Sequence, residues 1–166
     1  MRTRHALTVL ALSILALTTQ AQAADRKALS LDDAKLALAG AAAEAKRLGS
    51  PGGAVAVVDD GGHVLLLERW DNTFPAAGMV SIGEARTAAI FRKPSKAFED
   101  SINKGRSALL GVPDTLLTPL QGGVPITIEG QVVGVVGVSG AASQQQDEEL
   151  AAAGARAVAE SGGKTR

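Results

Sequence analysis

Histidine and cysteine, the residues that most often ligate zinc and copper, are scarce in this sequence. Its 166 residues contain no cysteine and two histidines, His5 and His63. Because a metal site built from side chains needs several nitrogen or sulfur ligands, a dedicated zinc or copper site is disfavoured and a disulfide scaffold is excluded. His63 follows a turn at the predicted start of a strand, where an exposed structural histidine is favoured over a metal ligand.

Nucleophilic and acid–base chemistry find little support in the sequence. No G-x-S-x-G motif is present, so serine hydrolase chemistry is not indicated. Helix starts, turns and exposed helix faces account for the clustered carboxylates. A general acid and base are defined by their separation in space, and we therefore assign no catalytic residue. The clusters are Asp32 with Asp33, Asp59 with Asp60, Glu99 with Asp100, and Asp147 to Glu149.

A cation, an aromatic ring and an anion follow one another in Arg69-Trp70-Asp71-Asn72. Two interpretations remain open. In the first, Asp71 and Asn72 begin a turn, and Arg69 pairs with Asp71 or with the C-terminus of a helix. In the second, Arg69 and Asp71 form the polar rim of a pocket, in which Arg69 holds a ligand carboxylate.

Glycines mark the second half of the chain: Gly122 and Gly123 precede an apolar strand, and Gly134, Gly137 and Gly140 recur along the next one. Glycine in a strand indicates a bulge or the close approach of another backbone or a ligand. Close packing over the sheet is the favoured interpretation. A flat apolar ligand lying against Gly122 and Gly123 is the functional alternative.

The elements that must position these residues alternate between helices and hairpins. Because the strands come in hairpin pairs, a parallel sheet is disfavoured, and we predict an α+β domain with an antiparallel sheet flanked by helices. The Leu65–Leu67 run predicts a strand that is buried on both faces. Apolar spacing and capping residues predict four helices, over 31–48, 77–91, 96–104 and 144–160, of which the first, third and fourth are capped by Ser30, Ser95 and Ser143. Alternating apolar residues between turns predict four strands, over 53–58, 63–69, 124–129 and 132–139.

The first 23 residues are predicted to form a secretory signal peptide, and residues 24–166 a single domain. A short basic start leads into the apolar run Ala6–Thr19, and Ala21-Gln22-Ala23 supplies a small-x-small cleavage pattern. The run is too short to span a bilayer comfortably, although an uncleaved anchor is the alternative. We expect an exported protein, periplasmic or secreted, without a stable membrane span.

The composition disfavours a nucleic-acid partner and favours self-association. Seventeen basic residues balance 17 acidic ones, and aromatic residues make up 2% of the chain, so neither a basic patch nor a stacking surface is indicated. With so few bulky side chains, close backbone approach must fill the core, and burial between subunits would add stability. We expect a homo-oligomer.

Six segments occur in a characteristic order: Ala54-Val-Ala-Val-Val-Asp59 with Gly61-Gly62, Arg69-Trp70-Asp71, Ala85-Arg-Thr-Ala88 with Phe91, Pro94-Ser95, Gly122-Gly-Val-Pro-Ile126, and Gly134-Val-Val-Gly-Val-Ser-Gly140. Together they resemble the GlcG/HbpS-type haem-binding proteins, which are similar to the C-terminal domain of PduO-type corrinoid adenosyltransferases. The resemblance covers residues 29–160. It implies a profilin-like or PAS-like fold, assembly into oligomers and, for exported members, binding of haem or iron.

The resemblance also implies candidate residues for iron. Some relatives hold haem iron through a histidine on a helix, which the first helix here lacks. Others use a hydroxyl group or leave the iron weakly ligated. Thr87 is the matching position for a hydroxyl ligand, and Ser95 is the second choice. Glu84 stands where related proteins often carry lysine. From general chemistry, haem iron is held by His, Cys, Met or Tyr, and beyond the predicted signal peptide the chain offers His63 and Met79.

Three hypotheses follow. In the first, the protein binds haem or a related tetrapyrrole, with Arg69 and Arg86 pairing with propionates and Thr87 facing the metal. In the second, it is an enzyme or enzyme accessory that acts on a small hydroxy or oxo acid around Arg69, Asp71 and Thr87. In the third, it is a self-associating structural module without a pocket.

Overall fold

A computed structural model describes residues 28–112 and 116–162. The predicted signal peptide and the last four residues lie outside this range. The elements are α1 (Leu31–Leu48), β1 (Ala54–Asp59), β2 (Val64–Arg69), α2 (Ala77–Phe91), α3 (Lys96–Asn103), a short 3-10 helix (Ser107–Gly111), β3 (Gly123–Ile128), β4 (Gln131–Ser139) and α4 (Gln144–Glu160).

The four strands form one antiparallel sheet in the order β2-β1-β4-β3. Helices α1 and α4 pack on one face of the sheet, and α2 packs on the other. The predicted α+β class with an antiparallel sheet flanked by helices is therefore confirmed. In this order β1 and β4 occupy the centre, while β2 and β3 lie at the edges.

Small residues allow the helices to approach closely. Buried alanines of α1 face α4, and a Cβ added to Gly154 would lie 2.6 Å from the carbonyl oxygen of Ala37. On the other face of the sheet, a Cβ on Gly137 would lie 2.2 Å from the carbonyl oxygen of Ser81. The glycines and alanines of this chain thus replace bulky core residues with backbone contact.

Helix caps form as predicted at two of three positions. Ser30 and Asp33 make a reciprocal capping box, and the hydroxyl of Ser143 accepts a hydrogen bond from the Gln146 N–H. Ser95 precedes α3 but its side chain makes no cap hydrogen bond. Its hydroxyl instead binds the segment before β3.

The prediction that the Leu65–Leu67 strand is buried on both faces is wrong. Val64 is 47% exposed and Leu67 is 44% exposed, because β2 is an edge strand that the helices cover only in part. Within the described residues, no helix is long and apolar enough to cross a membrane.

Candidate functional site

An open apolar cleft of about 470 Å³ lies between the start of β2, the outer face of α2 and residues 116–118. Its volume falls within the range of small-molecule pockets. Among the described residues that line it, Arg86 alone is charged. The lining comprises Val64, Met79, Val80, Ile82, Gly83, Arg86, Leu116 and Thr118.

Helix α2 supplies most of this lining because it is apolar on two faces. Ser81, Ala85 and Ala88 pack towards the sheet. Met79 and Arg86, seven residues apart, lie on the outer face together with the residues between them that line the cleft. A helix that is apolar on more than one side has a second contact to make, and here that side faces the cleft.

The wall at residues 116–118 is attached to α2 by Thr87 and by the Gly83 carbonyl, which accepts a longer hydrogen bond from the Thr118 N–H at 3.3 Å. The Thr87 hydroxyl donates a hydrogen bond to the Gly83 carbonyl (2.8 Å) and accepts one from the Thr118 N–H (2.8 Å). Thr87 is 1% exposed. The hydroxyl is therefore buried and engaged both as donor and as acceptor, which holds the wall in place.

Arg86 joins the cleft to the β1–β2 turn. Its guanidinium donates a hydrogen bond to the Gly62 carbonyl at 3.0 Å, and Gly62 packs against its side chain. The side chain is half-buried, so its charge is held at a fixed place on the cleft wall.

His63 lies in the same turn but is held by a carboxylate. Its Nδ1 lies 3.1 Å from Asp59 Oδ2, and its ring is 77% exposed. Burial acts to raise the pKa of Asp59, but hydrogen bonds from the His63 backbone and ring and from the Gly61 N–H outweigh it and hold that pKa below its ordinary value. Because Val58 packs towards α2 and strand side chains alternate, the carboxylate of Asp59 is directed to the opposite face of the sheet.

Arg69 and Asp71 lie at the other end of β2. Arg69 donates a hydrogen bond to the Thr73 carbonyl at 3.0 Å, and both residues are exposed. Five residue steps along a strand separate Arg69 from Val64, which amounts to roughly 17 Å. The structure therefore places Arg86 on the cleft wall and Thr87 buried behind it, bonded to Thr118, while Arg69 and Asp71 lie away from the cleft.

Ser95, Gly122 and Gly123 form a buried junction between α2 and β3. The Ser95 hydroxyl donates a hydrogen bond to the Leu120 carbonyl and accepts one from the Gly123 N–H at 2.8 Å. A Cβ on Gly123 would lie 2.3 Å from the carbonyl oxygen of Glu84. Helix α2 thus approaches both glycines, and the Val138 carbonyl of β4 also lies against Gly122.

Glu84 is the most unusual ionisable residue near this junction. It is 1% exposed, and its Oε2 has no hydrogen-bond partner among the described residues. Burial, together with the negative charges of Asp147 and Glu99, raises the pKa of Glu84 to about 10. Burial also raises the pKa of Asp147 to about 6, although the Ala141 and Gly140 N–H groups act to lower it.

Sequence reasoning did not single out Val64 and Leu116 as part of the site, and it named Met79 only as a possible iron ligand. The available signal was the apolar outer face of α2, which carries Met79, Val80 and Ile82 in addition to the buried face. No group of three or more His, Cys, Asp or Glu residues in the described parts of the chain is arranged to hold a metal ion.

The fold and the cleft define a class: an α+β protein with a four-stranded antiparallel sheet between two helical layers and a mainly apolar surface cleft on the α2 side. The chain belongs to the HbpS-like family, described as haem degrading protein HbpS-like, which matches residues 29–156. The predicted family is confirmed.

Among curated proteins, the chain is 49% identical over 85 residues to protein GlcG of Escherichia coli K12. The aligned segment covers 51% of this chain and 62% of GlcG. It is 36% identical over 92 residues to an uncharacterized 15.0 kDa protein of Citrobacter freundii, covering 54% of this chain and 64% of that protein. The chain thus matches about three fifths of the length of these relatives.

Two solved structures extend the comparison. The crystal structure of HbpS superposes with a TM-score of 0.71 at 32% identity, covering 78% of this chain and 89% of HbpS. A crystal structure of a PduOC haem complex has a TM-score of 0.71 at 23% identity and covers 78% of this chain and 94% of PduOC. At that identity the second likeness concerns the fold.

Proposed function

We propose that this protein binds haem or a related tetrapyrrole in the cleft between β2 and α2. The observation that carries the proposal is the make-up of the cleft: an open apolar slot with a single positive charge, Arg86, in its described lining. The family description and the haem complex of PduOC support the same ligand class.

The residues present fit such a ligand. The macrocycle of a tetrapyrrole is flat and apolar, which suits the Val64, Val80 and Ile82 side chains. Its propionates are anionic, and Arg86 offers a guanidinium for a charge-assisted hydrogen bond. When bound, haem would supply redox and oxygen chemistry, and the chain's own residues would hold and orient it.

The small-acid alternative needs Arg69, Asp71 and Thr87 around one polar concavity. In the structure Thr87 is buried, while Arg69 and Asp71 are exposed at the far end of β2. These three residues do not surround a common space, and the apolar cleft lies elsewhere. The arrangement therefore favours the tetrapyrrole.

We also propose that the protein is exported to the periplasm or beyond and that it forms a homo-oligomer. The signal-peptide pattern of residues 1–23 supports export. The exposed apolar side chains of the edge strand β2, Val64 and Leu67, support self-association.

Titration with haemin, followed by absorption spectroscopy, tests the proposal on wild-type protein and on Val64→Glu. We expect a saturable shift of the main haem absorption band in the wild type, and weaker binding in the variant because a carboxylate would enter an apolar cleft beside anionic propionates.

Leu31→Glu is the matched control. Leu31 is 46% exposed, against 47% for Val64, but it lies on α1, across the sheet from the cleft. The control should retain wild-type affinity. A wild-type protein that leaves the haemin spectrum unchanged, or equal losses in both variants, would argue against haem binding in this cleft.

A further inference from the structure

The geometry points to Met79 as the residue that faces the metal of a tetrapyrrole bound in the cleft, an inference that rests on the proposed function. The thioether would be the single metal-directed donor that α2 contributes. Of the three donors that the sequence suggested, this assignment selects Met79 over the hydroxyl of Thr87 and the imidazole of His63.

The chemistry of the available donors leads to Met79. Haem iron in proteins is held by His, Cys, Met or Tyr side chains, and the chain has neither cysteine nor tyrosine. Met1 and His5 lie outside the described residues. The His63 ring is held by Asp59, whose carboxylate is directed to the face of the sheet opposite α2. Met79 is therefore the remaining residue of a suitable type in the described cleft lining.

Thr87 has the wrong environment for a ligand. It is 1% exposed, and its hydroxyl already donates to Gly83 and accepts from Thr118. Binding iron would require breaking the hydrogen bonds that hold the cleft wall. Met79, in contrast, is 75% exposed, and its unbranched side chain can adjust to a ligand without disturbing the core.

The spacing on α2 also fits. Met79 and Arg86 are separated by seven residues, or about two helical turns, which places them on the same face and roughly 10 Å apart along the helix axis. This length is comparable to the distance from the centre of a porphyrin to its propionate carboxylates. A macrocycle lying along α2 would thus meet the thioether at its metal and the guanidinium at its propionates.

A thioether ligand predicts a preference between oxidation states. Thioether sulfur is a soft donor, so it binds ferrous haem better than the harder ferric form, and methionine ligation raises the reduction potential. We therefore expect the wild-type protein to bind ferrous haem more tightly than haemin, with a change of spectrum on reduction that depends on Met79.

The experiment compares haemin, ferrous haem and metal-free protoporphyrin IX on wild type, Met79→Leu and Met79→His, all expressed from the full-length sequence. Leucine preserves volume and apolar contact but removes the sulfur. The leucine variant should lose at least about tenfold more affinity for ferrous haem than for protoporphyrin, since even the loss of an outer-shell partner costs that much at metal sites.

Met79→His, which keeps an iron-binding side chain at this position, should bind haem more tightly than Met79→Leu and should show a spectrum that differs from that of the wild type. Equal affinity losses of Met79→Leu for ferrous haem and protoporphyrin, or an unchanged ferrous spectrum, would overturn the role of Met79 and leave the cleft as the binding site. A wild-type protein that binds neither haem nor protoporphyrin would overturn the proposed function, and the inference with it.

Discussion

Among single residues, the buried carboxyl of Glu84 makes the stability of the fold depend on pH. Its carboxyl is buried beside Gly122, with negative charges of Asp147 and Glu99 nearby, and no residue in the described part of the chain hydrogen-bonds to its Oε2. The neutral form costs far less to bury than the charged form. Since the pKa of Glu84 is raised to about 10, the folded protein keeps this side chain protonated at neutral pH.

The contribution of Glu84 to stability should therefore fall as pH rises. The unfolded chain releases the proton near the ordinary value of 4.5, while the folded chain holds it until about 10. The contribution is fully present below pH 4.5 and is lost progressively up to pH 10. By pH 7 the loss amounts to about 3 kcal/mol of unfolding free energy. Glu84→Gln, which cannot ionise, should be more stable than wild type by a margin that grows between pH 5 and 9, measured by chemical denaturation.

Asp147 titrates in part of the same range, so the comparison must be made as a difference between wild type and variant at each pH. Glu160→Gln, at the exposed end of α4, controls for the loss of one surface carboxylate. A stability difference between wild type and Glu84→Gln that stays constant with pH would show that the buried carboxyl does not govern this dependence.

Individual site residues were predictable only where the sequence carried a family pattern. Arg86, which lines the cleft, and Thr87, which is buried behind the cleft wall and bonded to Thr118, were found in this way, whereas Val64 and Leu116 were missed. Whether Val64 and Leu116 line the cleft depends on which face of α2 packs on the sheet and on where residues 116–118 contact the helix. Both are contacts between residues distant in sequence, and no local spacing encodes them.

At the scale of elements, the cleft depends on the hydrogen bond that Thr87 makes between α2 and the segment before β3. Thr87→Val keeps the shape of the side chain but removes the hydroxyl that serves Gly83 and Thr118. Loss of these buried hydrogen bonds should lower the free energy of unfolding by about 1–3 kcal/mol. Hydrogen exchange measures the effect locally, and the Thr118 amide should exchange faster in the variant.

Thr87→Ser is the matched control, because it retains the hydroxyl and removes one methyl group. Its Thr118 amide should remain protected. If that amide were equally protected in the valine variant, the hydroxyl would not be what attaches the wall to α2.

The helices and strands themselves were largely predictable, because caps, turns and apolar spacing are local signals. All four helices and all four strands form where the sequence places them, to within a residue or two. The exposure of β2 was not predictable, because an apolar run looks the same in a central and an edge strand. Only the order β2-β1-β4-β3, which joins distant segments, makes β2 an edge.

For the whole molecule, the open edge and the cleft lie side by side. Within residues 28–112 and 116–162, no strand pairs with the outer edge of β2, where Val64 and Leu67 are exposed, and Val64 also lines the cleft. Exposed apolar edge strands promote pairing with another chain. Association along β2 would therefore cover apolar surface and place a second subunit next to the bound ligand.

Self-association and ligand binding should then be coupled. Leu67→Glu introduces a charge at a position that is 44% exposed on β2, and we expect it to lower the mass measured by light scattering and to weaken haemin binding. Leu36→Glu, 37% exposed on α1 across the sheet, should change neither quantity. Reduced mass with unchanged haemin affinity would show that the cleft is complete within one subunit, and unchanged mass would show that β2 is not the contact. Because Leu67 is absent from the cleft lining, a joint loss of mass and affinity is expected only if the neighbouring subunit helps to enclose the ligand.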